Sequence, residues 1–400
     1  MNSAPVFIAS TGTISSIGKD TETSLQSLEN GVAGMDTMHW LESSHKGKLP
    51  VAEVKFSNAE LASICGLNEH IPRTALLSAI AAKEAVDKSG IDLKSGLRIG
   101  FISANTVGGM DKTENFFKPF LADHSKGHLR NVVHHECGSV TEIVADLLGV
   151  KDFISTISTA CSSSANAIFF GARLIKQNRL DVVIAGGADA LTRFTLNGFN
   201  TLMILDDKFC RPFDENRKGL NLGEGAGYVV MVSEKIANTL KTKPTISLSG
   251  YANANDAYHQ TASSPDGAGS YFAMKFALEM SRLKPADISY INLHGTGTQN
   301  NDIAEGTAVK RLFDPVFPPM SSTKSFTGHT LGASGGIEAV FSVLALQNDL
   351  IFPNLRFETA ITGLPFKPVT ELLKGKGLKH VMSNSFGFGG NCSSLVFSKS

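Results

Sequence analysis

Helix-like and strand-like segments alternate along this chain from end to end, and that order is the mark of an α/β fold. RTALLSAIAAKEAVDKSG spaces its apolar residues at helical intervals and stops at Gly90. RIGFISA then reads as a short buried strand, DFISTIST as a strand, SSANAIFFGARLIKQ as a helix, and DVVIAGGAD and GYVVMVS as strands. After Lys-Thr-Lys-Pro at 241–244 the pattern resumes with TISLSGYANAN, a helix from Tyr271 to Arg282, the strand YINLHG and the helix IEAVFSVLALQND. HVMSNSF and CSSLVFS close the chain as strands. Two sheet-forming halves are therefore expected, 1–240 and 241–400, with no short-period repeat, coiled coil or low-complexity tract.

Composition narrows the classes of function. Four hundred residues at 42% hydrophobic content suffice for a large core. Lysine plus arginine balance aspartate plus glutamate at 37 each, so no whole-chain field would draw in nucleic acid or a membrane surface. Apolar runs such as Ala339 to Leu346 are too short to span a bilayer, so no membrane insertion is expected. The N-terminus MNSAPVFIASTGTIS lacks a basic start followed by a long apolar segment, which argues against a secretory signal. Five scattered cysteines with no CxxC pair imply no metal site and suit a reducing cytoplasm.

The chemistry concentrates in four segments. In STACSSSANAI a strand runs into a tight turn at Thr159-Ala160-Cys161 and a helix begins directly after. A thiol there faces the positive end of the helix and unpaired backbone N–H groups, which lowers its pKa below the free value of about 8.5. A cysteine at such a place can also be a small buried hydrophobe. YINLHGTGTQNND delivers His294 at a strand end, and SSTKSFTGHTLGASGG holds His329 in a Gly- and Ser-rich turn before a long apolar helix. Lys324 and Glu305 are opposite charges near these turns, for which an exposed salt bridge is the plain reading. SNSFGFGGNCSS sets two phenylalanines in a glycine run near the C-terminus. GLNLGEGAG lacks the full spacing of a dinucleotide loop.

In this order and spacing, TACSSSA, HGTGTQNND, TKSFTGH and SFGFGG resemble the β-ketoacyl-acyl-carrier-protein synthases, most closely the elongating type with a Cys-His-His set. The resemblance covers essentially the whole chain. It implies a thiolase-like fold of two similar halves in five αβαβα layers, working as a homodimer. It also implies decarboxylative condensation of an acyl thioester with a malonyl thioester, both delivered on an acyl carrier protein. No cofactor is implied beyond the phosphopantetheine that arrives on the carrier. By the same resemblance Cys161 is the acylated nucleophile, and His294 with His329 bind the malonyl thioester carbonyl. Lys324 and Glu305 order the site, and Phe388 is the gate whose backbone N–H joins that of Cys161 as oxyanion hole. Thr296, Thr298 and Thr261 lie along the pantetheine arm, Phe386 joins the substrate lining, and Val107 meets the acyl tail. Arg211 is the candidate basic contact for an acidic carrier.

The sequence departs from the family at two places. The common GFGGTN continues here as Gly389-Gly390-Asn391-Cys392, and Ser162-Ser163-Ser164 after the nucleophile are more polar than in many fatty-acid members. Both bear on the acyl substrate, so a condensing enzyme for an aryl-polyene or polyketide chain stands beside the fatty-acid reading. A non-catalytic partner subunit would lack the nucleophile, and an initiating synthase would carry asparagine where a second histidine stands.

Overall fold

The computed structural model describes residues 5–400. Ten strands form its main sheet: β1 (Val6–Ser15), β2 (Ile99–Ala104), β3 (Phe153–Ile157), β4 (Val182–Asp189), β5 (Gly225–Ser233), β6 (Ile246–Asn255), β7 (Tyr290–Asn292), β8 (Met320–Ser321), β9 (His380–Phe386) and β10 (Asn391–Lys399). Their order is β3-β2-β4-β5-β1-β6-β10-β9-β7-β8. The link at the centre is one residue pair, Phe7 opposite Ser247, so the sheet divides into two five-stranded halves. Counted inward from the free edge, each half pairs parallel, parallel, antiparallel, antiparallel. The two halves thus share strand order and direction, although no repeat is visible in the sequence.

Helices complete five layers. Helices α1 (Arg73–Ser89) and α2 (Cys137–Leu148) cover the outer face of the first half-sheet. Helices α4 (Ala268–Ser281) and α5 (Gln299–Phe313) cover the second, while α3 (Ser163–Lys176) and α6 (Ser334–Asn348) lie between the sheets. Period-two alternation along the strands serves these layers: Val183 and Ala185 of β4 face the central helices, whereas Val182 and Ile184 face α1. On β10, Leu395 and Phe397 point to the centre and Val396 outward.

Helix α6 is buried from Ser334 through Leu346, as a helix apolar on all sides must be. Ile337, Val340, Phe341, Val343, Leu344 and Leu346 are each at most 6% exposed, and each such burial contributes roughly 1.5–3 kcal/mol. Its first turn lies against β5 at a pair of glycines. A Cβ on Gly336 would sit 2.4 Å from the Gly227 carbonyl oxygen, so this crossing admits no side chain.

The helix expected from Tyr271 begins at Ala268 and ends before Arg282, which is left-handed. Strand β1 and helix α5 were not apparent in the sequence, because the small and polar residues of VFIASTGTIS and the acidic start of QNNDIAEGTAVKRLF blur both periodicities. No helix among the described residues is long and apolar enough to cross a membrane.

Candidate active site

Strand β3 ends four residues before Cys161, and helix α3 begins two residues after it. Ala160 takes a left-handed φ of 50°, unusual for a residue with a side chain, and this turn swings the cysteine out of line with both elements. Cys161 is buried, and its Sγ lies 3.1 Å from Nε2 of His329. The rings of His329 and His294 stand 5.4 Å apart and nearly perpendicular. One ligand atom from each of Cys161, His294 and His329 falls within 4.8 Å of the others, close enough for a single thioester group to touch all three.

Hydrogen bonding defines the state of both imidazoles. The Leu331 N–H donates to Nδ1 of His329 at 3.2 Å, so the ring proton of the neutral imidazole sits on Nε2 and points at the sulfur. Lys324 Nζ lies 3.1 Å from Nδ1 of His294, and an ammonium only donates, so His294 also carries its proton on Nε2. Burial, then the Lys324 charge, hold both histidines well below the usual imidazole range. The site therefore offers two neutral N–H donors.

The thiol behaves otherwise than its place before a helix leads one to expect. Burial pushes Cys161 up to about 11, against the opposing pull of the Lys324 charge and the Phe388 N–H. Desolvation outweighs the helix end because the sulfur is enclosed by the Phe388 loop and the two histidine turns. Its thiolate needs the donors around it, the Phe388 N–H and the Nε2–H of His329.

The residues holding the histidines come from distant elements. Glu305 of α5 accepts the N–H groups of His294 at 2.9 Å and Gly295 at 2.8 Å, and also Nδ2 of Asn384 at 3.1 Å. Burial raises its carboxyl to about 7. Lys324 pairs with Glu338 of α6 rather than with Glu305, and it also donates to the His294 carbonyl at 2.8 Å. Both carboxylates and the lysine are buried, so the plain alternative of an exposed salt bridge between Lys324 and Glu305 does not hold. Glu338 was missed, although an acid inside the apolar run IEAVFSVLAL is a visible signal.

A cavity of about 390 Å³ opens onto the sulfur. Cys161, His294, His329, Thr296, Thr298, Thr261, Phe386 and Phe388 all line it. The Thr296 and Thr298 hydroxyls are 2.9 Å apart, and Phe386 lies 5.9 Å from the His294 ring. Gly387 lets the Phe388 loop approach the nucleophile turn: a Cβ there would sit 3.1 Å from both the Cys161 nitrogen and the Thr159 oxygen. The Phe388 ring stacks on Phe199 at 5.7 Å, a partner that no sequence pattern marks.

Val107, expected along the acyl tail, does not line this cavity, and Arg211, expected at the carrier surface, lies outside it too. Val107 is buried in an apolar cluster with Leu196, Leu220 and Leu331, behind the cavity wall. Arg211 is held by Asp214 at 3.3 Å and Glu358 at 2.7 Å, which leaves little free charge for a docking partner.

Comparison with known proteins agrees with this geometry. Residues 3–237 match the family model "Beta-ketoacyl synthase, N-terminal domain" and residues 246–358 match "Beta-ketoacyl synthase, C-terminal domain". The 3-oxoacyl-[acyl-carrier-protein] synthase 2 of Staphylococcus aureus (strain COL) is 31% identical over 412 residues, covering 98% of each chain. Its namesake from Vibrio harveyi is 30% identical over 420 residues, covering 100% of this chain and 99% of the other. Among solved structures, the ishigamide ketosynthase/chain length factor superposes with a TM-score of 0.93 at 26% identity, over 99% of each chain. A ketosynthase in complex with its chain length factor from Xenorhabdus doucetiae gives 0.86 at 30% identity, over 99% of this chain and 98% of that one.

Proposed function

The chain belongs to the beta-ketoacyl synthase family, and on that premise we propose that it is a 3-oxoacyl-[acyl-carrier-protein] synthase with Cys161 as its acylated thiol. The observation that carries the reading is the meeting of the Cys161 sulfur with two neutral imidazole donors at the floor of one cavity.

In the first half-reaction the Cys161 sulfur attacks the carbonyl carbon of an acyl thioester. The carrier thiol leaves with the proton that the cysteine gives up, and the acyl oxyanion meets the N–H groups of Cys161 and Phe388. A malonyl thioester then enters past Thr261, Thr296 and Thr298. Its carbonyl oxygen accepts from Nε2 of His294 and His329. The bond to the carboxylate breaks, CO2 departs, and the electron pair remains as an enolate held by the two imidazoles. The enolate carbon attacks the acyl-cysteine carbonyl, expels the thiolate, and leaves a 3-oxoacyl carrier. One proton from solvent balances the sum. Neutral imidazoles suit this task, because a doubly protonated ring would have no lone pair left for Lys324 or Leu331 to hold in place.

The partners in this reading are an acyl carrier protein, acyl and malonyl thioesters, and a second copy of the chain, working in the cytoplasm. The two structural neighbours named for a chain length factor favour a second reading. In it the acyl group is a growing polyene or polyketide and the second subunit is a related, silent chain.

Intact-mass measurement after incubation with a panel of acyl carriers tests both. Mass gained by wild type and not by Cys161→Ala supports the thiol assignment, and the carrier acyl group that loads fastest separates the two pathways. If Cys161→Ala still extends a chain, the reading is wrong.

A further inference from the structure

Two segments that depart from the family motif touch each other. The Ser162 hydroxyl lies 2.7 Å from both Oδ1 of Asn391 and the Thr159 carbonyl oxygen, and its one proton serves these two acceptors. The Asn391 oxygen also accepts from Nδ2 of Asn166 at 2.8 Å and Nδ2 of Asn253 at 2.7 Å. Ser162 directly follows Cys161, Asn166 lies one turn further along α3, and Asn253 belongs to β6. Asn391 opens β10 and closes the Phe388 loop, its carbonyl accepting the Gly387 N–H at 2.9 Å. Ser162 is fully buried and Asn166 is 6% exposed, so their bonds compete little with water, whereas Asn391 is half-buried and Asn253 is exposed. Asn166 also donates to Thr159 Oγ1 at 2.8 Å, which ties in the strand side of the nucleophile turn.

One amide oxygen therefore gathers donors from the nucleophile turn, the helix behind it and the second half-sheet. On its far side the Phe388 loop is held by Gly389 N–H to the Gln260 carbonyl at 2.7 Å and by Asp256 N–H to the Gly390 carbonyl at 2.8 Å. A threonine, which stands at this point of the common motif, carries its oxygen one bond nearer the backbone and could not collect the same three donors. The groups that hold the imidazoles, Lys324, Glu305 and the Leu331 N–H, take no part in the network.

We propose that Asn391 is a positioning residue which, through Ser162, sets the register of the Phe388 loop on the nucleophile turn and so the aim of the two backbone N–H groups in acyl transfer. The inference rests on Cys161 being the acylated thiol. It separates the two half-reactions, since the enolate is stabilised by donors that Asn391 does not touch.

The test measures acylation of Cys161 by an acyl carrier and CO2 release from a malonyl carrier as separate rates. Asn391→Ala should slow acylation about tenfold or more, the scale of a small misplacement of reacting groups, and leave CO2 release within about twofold. Asn391→Thr should fall between the variant and wild type. Ser162→Ala with Asn391→Ala should be no slower than Asn391→Ala alone, because both remove one link. Should Asn391→Ala not fold, Ser162→Ala carries the same split. Wild type acylated at the same rate as Asn391→Ala, or both half-reactions falling together in a folded variant, overturns the inference alone. A wild type that takes no acyl group on Cys161 overturns the functional reading and this inference with it.

Discussion

The Cys161 sulfur sits between opposed influences, enclosure that disfavours charge and donors that favour it, and enclosure wins in the resting site. Its reaction with a small electrophile such as iodoacetamide should therefore keep rising with pH beyond 8.5. A rate that levels off below pH 8 would mean a thiolate already formed at rest. The imidazoles invite a second measurement. His294→Ala and His329→Ala should each raise the barrier to malonyl decarboxylation by about 2–4 kcal/mol, the usual worth of one oxyanion donor. Acyl transfer should suffer less in His294→Ala, whose ring lies beyond the sulfur's own hydrogen bond, than in His329→Ala, which removes a donor at 3.1 Å from Sγ. Equal losses in the two variants and both half-reactions would point to a shared base or to misfolding.

At the scale of elements, helix α5 acts as a brace. It carries Glu305 beneath the His294 turn and leaves that carboxylate no cation, only three N–H donors. Its carboxyl is raised to about 7 from an ordinary 4.5, so the native state binds this proton more tightly than the unfolded chain. The stability it confers is present below about pH 4.5 and lost as pH rises through about 7, an amount on the order of 3 kcal/mol. Glu305→Gln should remove that slope. The difference in unfolding free energy, wild type minus Glu305→Gln, should fall between pH 4.5 and 7 in chemical denaturation. A flat difference would place the proton elsewhere. The partner of Lys324 is Glu338 and not Glu305. Glu305 and Glu338 are both near in the chain, and only the crossing of α6 beneath Lys324 selects Glu338.

At the scale of the molecule, the matched half-sheets leave β3 at a free edge of the first, with Ile154 40% exposed. The segment 110–133 leaves Phe117, Leu121, Leu129 and Val133 more than half exposed as well. Apolar side chains and an unpaired strand edge of this kind invite a second chain. If the second copy proposed above pairs on this edge, Ile154→Lys should lower the mass seen by light scattering toward that of one chain, and an unchanged mass would move the interface away from β3. Much of the chain was legible without its fold. The buried strands, the helices of α3 and α6, and the turns at Cys161, His294 and His329 follow from apolar periodicity and glycine, which act over a few residues. The folded chain alone decided that His329 Nε2 meets a sulfur 168 residues away, that Val107 packs behind the cavity wall, and that Arg211 is neutralised by Glu358. It also decided that the thiol is raised and that Ser162 answers Asn391 across the two halves. These depend on desolvation and on contacts between segments far apart in the chain, set by how two sheets stack around two shared helices, and no local pattern encodes that stacking.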